Sequence, residues 1–232
     1  MPGTLFIVAT PIGNLEDITF HAINVLKKVD CILAEDTRVA RKLLNHYQIK
    51  TPLKPYHHHS TISARLNILN MLLSGNNLAL VSDAGTPGIS DPGNELINYI
   101  LSSSTEVNIL PIPGPTAPIS ALSVSGFPTS KFLFLGFLPK KKLATTLNLI
   151  KSSEFTVVYF DSPHRVIKNL EKLLGVIEDR EILVTRELTK LNETHYRGTA
   201  REVALRLKTE PRVRGEVTVV VSPTGIEPVS RV

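Results

Sequence analysis

The sequence predicts an α/β protein of two α/β domains, the N-terminal one built on a mainly parallel sheet and the C-terminal one on a mixed sheet. Three observations carry this. Short β-rich runs alternate with amphipathic stretches through the first half. Three prolines then fall within five residues at Pro111-Ile112-Pro113-Gly114-Pro115, which no helix or central strand can accommodate. Beyond that break the β-rich runs more often follow one another directly, as in a mixed sheet. The boundary is therefore set at 1–113 and 114–232.

In order, Leu5–Ala9 reads as a strand and Ile18–Val29 as a helix. Ile18, Ala22, Val25, Leu26 and Val29 form its buried stripe, and Asp17 is placed to cap it. A strand Cys31–Ala34, a short helix Val39–His46, an extended piece Leu53–Tyr56 and a helix near Thr61–Leu73 come next. The first half closes with a strand Leu78–Val81, a helix Glu95–Leu101 and a strand Val107–Ile112. The second half opens on a small-residue helix, Thr116–Val124. Its strands are Phe132–Phe137, Thr156–Phe160, Glu181–Thr185, His195–Arg197 and Val217–Val221, with two intervening helices, Arg165–Leu174 and Arg201–Leu207.

Composition narrows the function classes. The 232 residues are 42% hydrophobic and 20% charged, enough apolar material for a substantial core. Twenty-six basic residues against 21 acidic ones leave a charge of +5, which permits an anionic partner such as RNA without demanding one. The single cysteine, Cys31, excludes a disulfide scaffold and a four-cysteine zinc module and suits a reducing cytoplasm. The apolar run Leu5–Ala9 meets Pro11 and Gly13 too soon for a signal sequence or a membrane span, so a soluble cytoplasmic protein is expected.

Ligands of open α/β sheets bind beyond the carboxyl ends of the parallel strands, so the loops there are where chemistry is sought. Thr10-Pro11-Ile12-Gly13-Asn14 has one glycine and lacks the dinucleotide fingerprint. Glu35-Asp36-Thr37-Arg38 offers two carboxylates and a guanidinium, although Asp36 could equally serve as a helix cap. Ser82 through Gly93 holds three glycines and two prolines in twelve residues. It is too long for a simple turn, and no Gly-Lys-Ser/Thr makes it a nucleotide-triphosphate loop. Asp161-Ser162-Pro163-His164-Arg165 and Thr185-Arg186-Glu187-Leu188-Thr189-Lys190 are polar and partly basic, with a helix start and an Arg186–Glu187 ion pair as their plain structural readings. His57-His58-His59 as a strand run would point to alternate faces, so no metal site is expected.

Taken together, these segments resemble the bacterial methyltransferases that act on the 2′-hydroxyl of a cytidine in small-subunit ribosomal RNA, a branch of the tetrapyrrole methylase superfamily. The resemblance rests on Ile7 through Leu15, Ala34 through Arg38, Ser82 through Gly93, Pro113-Gly114-Pro115, Ser162 through Arg165 and Arg186 through Lys190. It implies S-adenosylmethionine in a cleft between the two domains, a homodimer, no metal and no membrane, and a substrate in the decoding centre of 16S rRNA or the small ribosomal subunit. Carried over by position, the cofactor contacts are Pro11, Gly85, Thr86, Pro87, Ile89, Ser90, Thr116, Ala117 and Phe160. A base is needed to activate the hydroxyl, and Glu35, Asp36 and Asp83 are the catalytic candidates, His57 also being in reach. Arg38, Arg41, Lys42, His57, Arg165, Arg186 and Lys190 are the expected RNA contacts. Two departures stand out. His58 occupies a place usually held by a glutamate between histidines, and only Ser222–Val232 come after the last strand, where many members continue.

Overall fold

The computed structural model describes residues 1–177, 180–210 and 214–225. It divides into two units, Met1–Thr116 and Ala117–Val232.

The first unit alternates strand and helix without exception: β1 (Thr4–Val8), α1 (Phe20–Lys28), β2 (Cys31–Ala34), α2 (Thr37–His46), β3 (Leu53–Pro55), α3 (Ile62–Leu73), β4 (Leu78–Val81), α4 (Asn94–Ser103) and β5 (Asn108–Ile112). Its five strands lie in the order β3-β2-β4-β1-β5, every pair parallel. The central β2 and β4 are buried along their whole length, as strands covered on both faces must be. Pro111 and Pro55 sit on the two edge strands, where a missing N–H costs no ladder bond. The two cores follow the strand pleat. Ile32, Ala34, Ala79 and Val81 pack with α1 and α2 on one face, while Cys31, Leu33, Leu78 and Leu80 pack with α3 and α4 on the other.

Two local expectations are corrected. Thr19, not Asp17, caps α1, its hydroxyl accepting from the Ala22 amide at 3.0 Å, and Asp17 instead ends a short 3-10 turn over Leu15–Asp17. Thr19 is the better cap because the turn consumes the residues before it. His57-His58-His59 lies beyond β3 in a turn, with the His59 amide donating to His57 Nδ1 at 3.2 Å, so strand alternation does not describe it.

The second unit comprises α5 (Ala117–Ser123), β6 (Phe132–Phe137), α6 (Leu143–Ser152), β7 (Thr156–Asp161), α7 (Val166–Ile177), β8 (Glu181–Arg186), β9 (Thr194–Thr199), α8 (Ala200–Thr209) and β10 (Val217–Val221). Its sheet, ordered β6-β7-β10-β8-β9, is mixed: β6 and β7 are parallel, the other pairs antiparallel. Helices α6, α7 and α8 cover one face, and α5 covers part of the other through Ala121 and Leu122 against Val158, Leu183 and Val220. Helix α6 has no counterpart among the elements the sequence predicts, because no side chain caps it and Thr145-Thr146 dilute its helical pattern; buried Leu147 and Ile150, with Leu143 packed beside them, anchor it. Among the described residues, no helix is long and apolar enough to cross a membrane, and no group of three His, Cys, Asp or Glu side chains is placed to hold a metal.

Candidate functional site

Strand order sets the site. The chain leaves β1 and β2 toward the α1/α2 face and leaves β4 toward the α3/α4 face, so β4 is flanked by two gaps where the loops diverge. Such switch points are where open α/β sheets make ligand crevices.

One gap lies between β4 and β1. It is spanned by an isolated antiparallel bridge in which the Thr10 amide donates to the Gly85 carbonyl at 2.9 Å and the Gly85 amide to the Thr10 carbonyl at 3.1 Å. The buried Thr10 hydroxyl donates to the Ser82 carbonyl at 3.2 Å, and the Thr86 hydroxyl to the Pro115 carbonyl at 3.4 Å. Three strand ends are thereby joined, β1 to β4 by main chain and β4 to β5 through the Thr86 side chain. Gly114 completes the packing, since a Cβ there would stand 2.9 Å from Ala9 Cβ. Within this frame Pro11, Gly85 and Pro87 are buried, Thr86 and Thr116 are half-buried, and Ile89 and Ser90 are exposed at the loop tip. Gly85 and Gly88 have φ of +79° and +85°, and Ser90 has +64°. The loop is thus a set of left-handed turns, held by the Asn94 side chain donating to the Gly88 carbonyl at 2.8 Å.

The other gap lies between β2 and β4 and collects the carboxylates. The Asp36 amide donates to Asp83 Oδ1 at 3.0 Å. Asp36 is the N-cap of α2, accepting from the Arg38 amide at 2.8 Å, and it also grips the Arg38 guanidinium through Nη2 at 2.6 Å and Nε at 3.0 Å. The Arg38 side-chain and main-chain donors hold the Asp36 carboxyl down at about 2. Glu35 is its opposite. It is half-buried and makes no side-chain hydrogen bond or ion pair among the described residues. Burial foremost, then the charge of Asp83, pushes its carboxyl above the ordinary range, with His58 and His57 pulling against them and Asp36 adding a smaller push.

Helix α2 carries the basic residues outward from this gap. Thr37, Arg38, Arg41, Lys42 and Asn45 recur at helical spacing and line one shallow surface concavity. Elsewhere the expected cations are tied down within the second unit. Arg165 lies 3.8 Å from the buried Asp161 and donates to the Leu138 carbonyl at 3.3 Å. Arg186 pairs not with Glu187 but with the Thr194 hydroxyl at 3.1 Å. Lys190 bridges Glu187 at 2.9 Å and Glu216 at 3.0 Å. Phe160 stacks against Phe134 and Phe137, with ring centroids 5.2 and 5.1 Å away, and Ala117 opens α5.

The sequence profile of the Tetrapyrrole (Corrin/Porphyrin) Methylases matches residues 4–204, a span that contains both gaps. The chain belongs to this methylase family. It is 45% identical to Ribosomal RNA small subunit methyltransferase I of Bacillus subtilis over 98% of this chain and 77% of the relative. It is likewise 45% identical to the protein of that name from Thermotoga maritima, over 95% and 98%. Among solved structures, cobalt precorrin-4 methyltransferase superposes with a TM-score of 0.69 at 16% identity, covering 94% of both chains. Diphthine synthase gives 0.73 at 11% identity, covering 95% of this chain and 90% of that one. These two likenesses speak to the fold of this methylase alone.

Proposed function

We propose that this methylase transfers the methyl group of S-adenosylmethionine to the ribose 2′-hydroxyl of a cytidine in the decoding centre of 16S rRNA. The observation that carries the reading is the pairing of two unlike carboxylates at one strand end. Glu35 makes no side-chain hydrogen bond or ion pair among the described residues and is raised in proton affinity, while its neighbour Asp36 caps α2, pairs with Arg38 and is held ionised. The names of the relatives, ribosomal RNA methyltransferases, support the substrate.

The cofactor fits the other gap. Gly85, buried against Ile12 and the Pro115 carbonyl, takes the left-handed turn at φ +79° that shapes the loop's main chain toward this gap. Main-chain groups of Gly85 through Ser90, with Pro11 and Thr116, would hold the polar ends of the molecule, and Ile89 would supply apolar contact. Ala117 and Phe160 stand as further proposed contacts. When bound, S-adenosylmethionine supplies a methyl group activated by its sulfonium charge.

The protein's own residues perform the rest. Glu35 accepts the proton of the 2′-hydroxyl, a role for which its raised pKa is suited. Burial, and then the charge of Asp83, keep it raised, and Asp83 also fixes the Asp36 amide. Asp36 holds Arg38 in a bidentate grip, so a cation stands at the mouth of the gap where a phosphate flanking the acceptor ribose would lie. Arg41 and Lys42, one turn further along α2, extend that contact. In-line alignment of oxygen, methyl and sulfur is the larger catalytic contribution.

The test is methyl transfer from labelled S-adenosylmethionine to immature small subunits, to naked 16S rRNA and to a corrin or porphyrin precursor. One 2′-O-methylcytidine mapped by mass spectrometry in the rRNA is the expected product. Methyl on a base, or transfer to the tetrapyrrole alone, would overturn the reading.

A further inference from the structure

Outside the two gaps and the α2 face, the described residues include a run of three adjacent exposed cations, Lys140-Lys141-Lys142. These residues come after β6 and lead into α6, with the chain turning at Lys142, whose φ is +59°. All three are exposed, and none of their side chains makes an ion pair or hydrogen bond among the described residues.

Topology places them on a particular edge. Strand β6 is parallel to β7, and β7 and β8 are both antiparallel to β10. The ends of β6, β7 and β8 and the start of β10 therefore share one edge of the second sheet. That edge holds Arg165, Arg186 and Lys190, the cations that composition and resemblance nominate for RNA. The structure has already committed them: Arg165 to Asp161 and the Leu138 carbonyl, Arg186 to Thr194, Lys190 to two glutamates. Arg165 and Lys190 are turned inward onto these partners, their side chains only 27% and 30% exposed, so they offer less to a phosphate than an open side chain such as Arg38, which stays 88% exposed although Asp36 clasps it. The three lysines carry no such commitment. Three adjacent ammonium groups also repel one another in the free protein, and a polyanion relieves that repulsion while releasing its condensed counter-ions.

We infer that Lys140-Lys141-Lys142 is a second phosphate-binding element, taking the RNA backbone on the second domain and separate from the α2 face of the first. The inference rests on the rRNA reading above and deepens it: the substrate is gripped at the reacting nucleotide by one domain and along its backbone by the other. Its contribution is affinity without sequence readout, since ammonium groups on flexible stems bind phosphate as point charges.

The experiment compares the full-length Lys140→Gln/Lys141→Gln variant with a control of equal charge change, Lys27→Gln/Lys28→Gln. The control pair ends α1, which runs back to the amino edge of the first sheet before β2. Lys142 is left in place to keep its turn. Binding of 16S rRNA is measured by filter retention across roughly 50 to 200 mM salt. Each lost phosphate contact removes about 0.7–0.9 from the slope of log K against log salt, so the variant slope should flatten by about 1.5. KM for immature subunits should rise several-fold, with kcat and S-adenosylmethionine affinity retained. A slope and KM equal to those of the control variant would overturn the inference while leaving the rRNA reading intact. Failure of the unaltered protein to bind or methylate rRNA would overturn both.

Discussion

At the scale of single residues, the carboxylates divide the labour according to what donates to them. Asp36 reads in the sequence as a helix cap as readily as a base, and it is a cap, with Arg38 clasped besides. Asparagine caps about as well as aspartate, so Asp36→Asn should leave the fold and S-adenosylmethionine affinity intact. It should raise the RNA concentration needed for half-maximal rate, because only the charge that grips Arg38 is lost. Glu35→Gln should instead lower kcat by about 10² to 10⁴, the usual contribution of a general base, with little change in KM for RNA. The pH profile separates Glu35 further. The base must be ionised, so activity falls as pH drops through a Glu35 pKa that stands above the ordinary carboxylate range. Removing the like charge in Asp83→Asn lowers that pKa, so the acid limb of kcat should move to lower pH; an unmoved limb would exclude Glu35 as the titrating group. The sequence names Glu35, Asp36, Asp83 and His57 as candidates and offers Asp36 as a cap, but it does not show which neighbours set the proton affinity of Glu35. Glu35, His57, His58 and Asp83 are far apart along the chain, and only the order β3-β2-β4 brings their strand ends side by side.

A second carboxylate, Asp161, matters to stability rather than chemistry. It is buried, and burial raises its pKa although the Asn169 amide, the Ser162 amide and Arg165 oppose the shift. A folded pKa above the unfolded one means that the folded state holds the proton more tightly. This stability is fully present below the unfolded value of about 3.9 and is lost as pH rises through the folded one. Asn169 Nδ2 donates to both Asp161 oxygens at 3.0 and 2.9 Å. Asn169→Ala should therefore cost about 2 kcal/mol at neutral pH, the worth of a hydrogen bond to a charged group. The loss should shrink as pH falls through that raised pKa and the carboxyl takes up its proton. Urea unfolding on either side of that transition reads the difference.

At the scale of elements, legibility obeys one rule: signals carried within a segment show in the sequence, and those carried by neighbouring segments do not. Strands β2, β4 and β10 have the bounds the sequence predicts, because a polar residue stands at once on either side of each apolar run. Helix α6 leaves no such trace because its evidence is its packing. The glycine loop after β4 announces itself by composition, yet the reason for Gly85 is conformational. Its Cβ position is open, so the obstacle to a side chain is φ of +79° rather than crowding. Gly85→Ala should accordingly destabilise by about 1 kcal/mol and weaken S-adenosylmethionine several-fold, whereas Gly85→Val, β-branched at a left-handed position, should do both more severely. Calorimetric titration of the folded variants with S-adenosylmethionine checks the order. Equal affinity in all three proteins would remove the loop from the cofactor site.

At the scale of the whole molecule, the sequence break at Pro111 through Pro115 lies just before the division between Thr116 and Ala117, for proline both ends an edge strand and stiffens the residues after it. The second unit carries apolar surface that its own sheet does not use. Helix α5 turns Ala121 and Leu122 inward, leaving Ile119 and Val124 at 48% and 40% exposure, and the edge strand β6 leaves Phe132 at 41%. An exposed apolar edge strand is a liability unless something covers it. A second copy of the chain, which the family resemblance implies, would cover it across a two-fold axis. Light scattering at micromolar concentration should then give the mass of two chains. Ile119→Asp combined with Phe132→Asp should bring it to one, because each two-fold contact would bury the added charges from both partners at once. Circular dichroism of the variant should match the parent, since neither side chain is part of a core. A monomeric parent would remove the dimer, and a dimeric variant would move the interface away from α5 and β6.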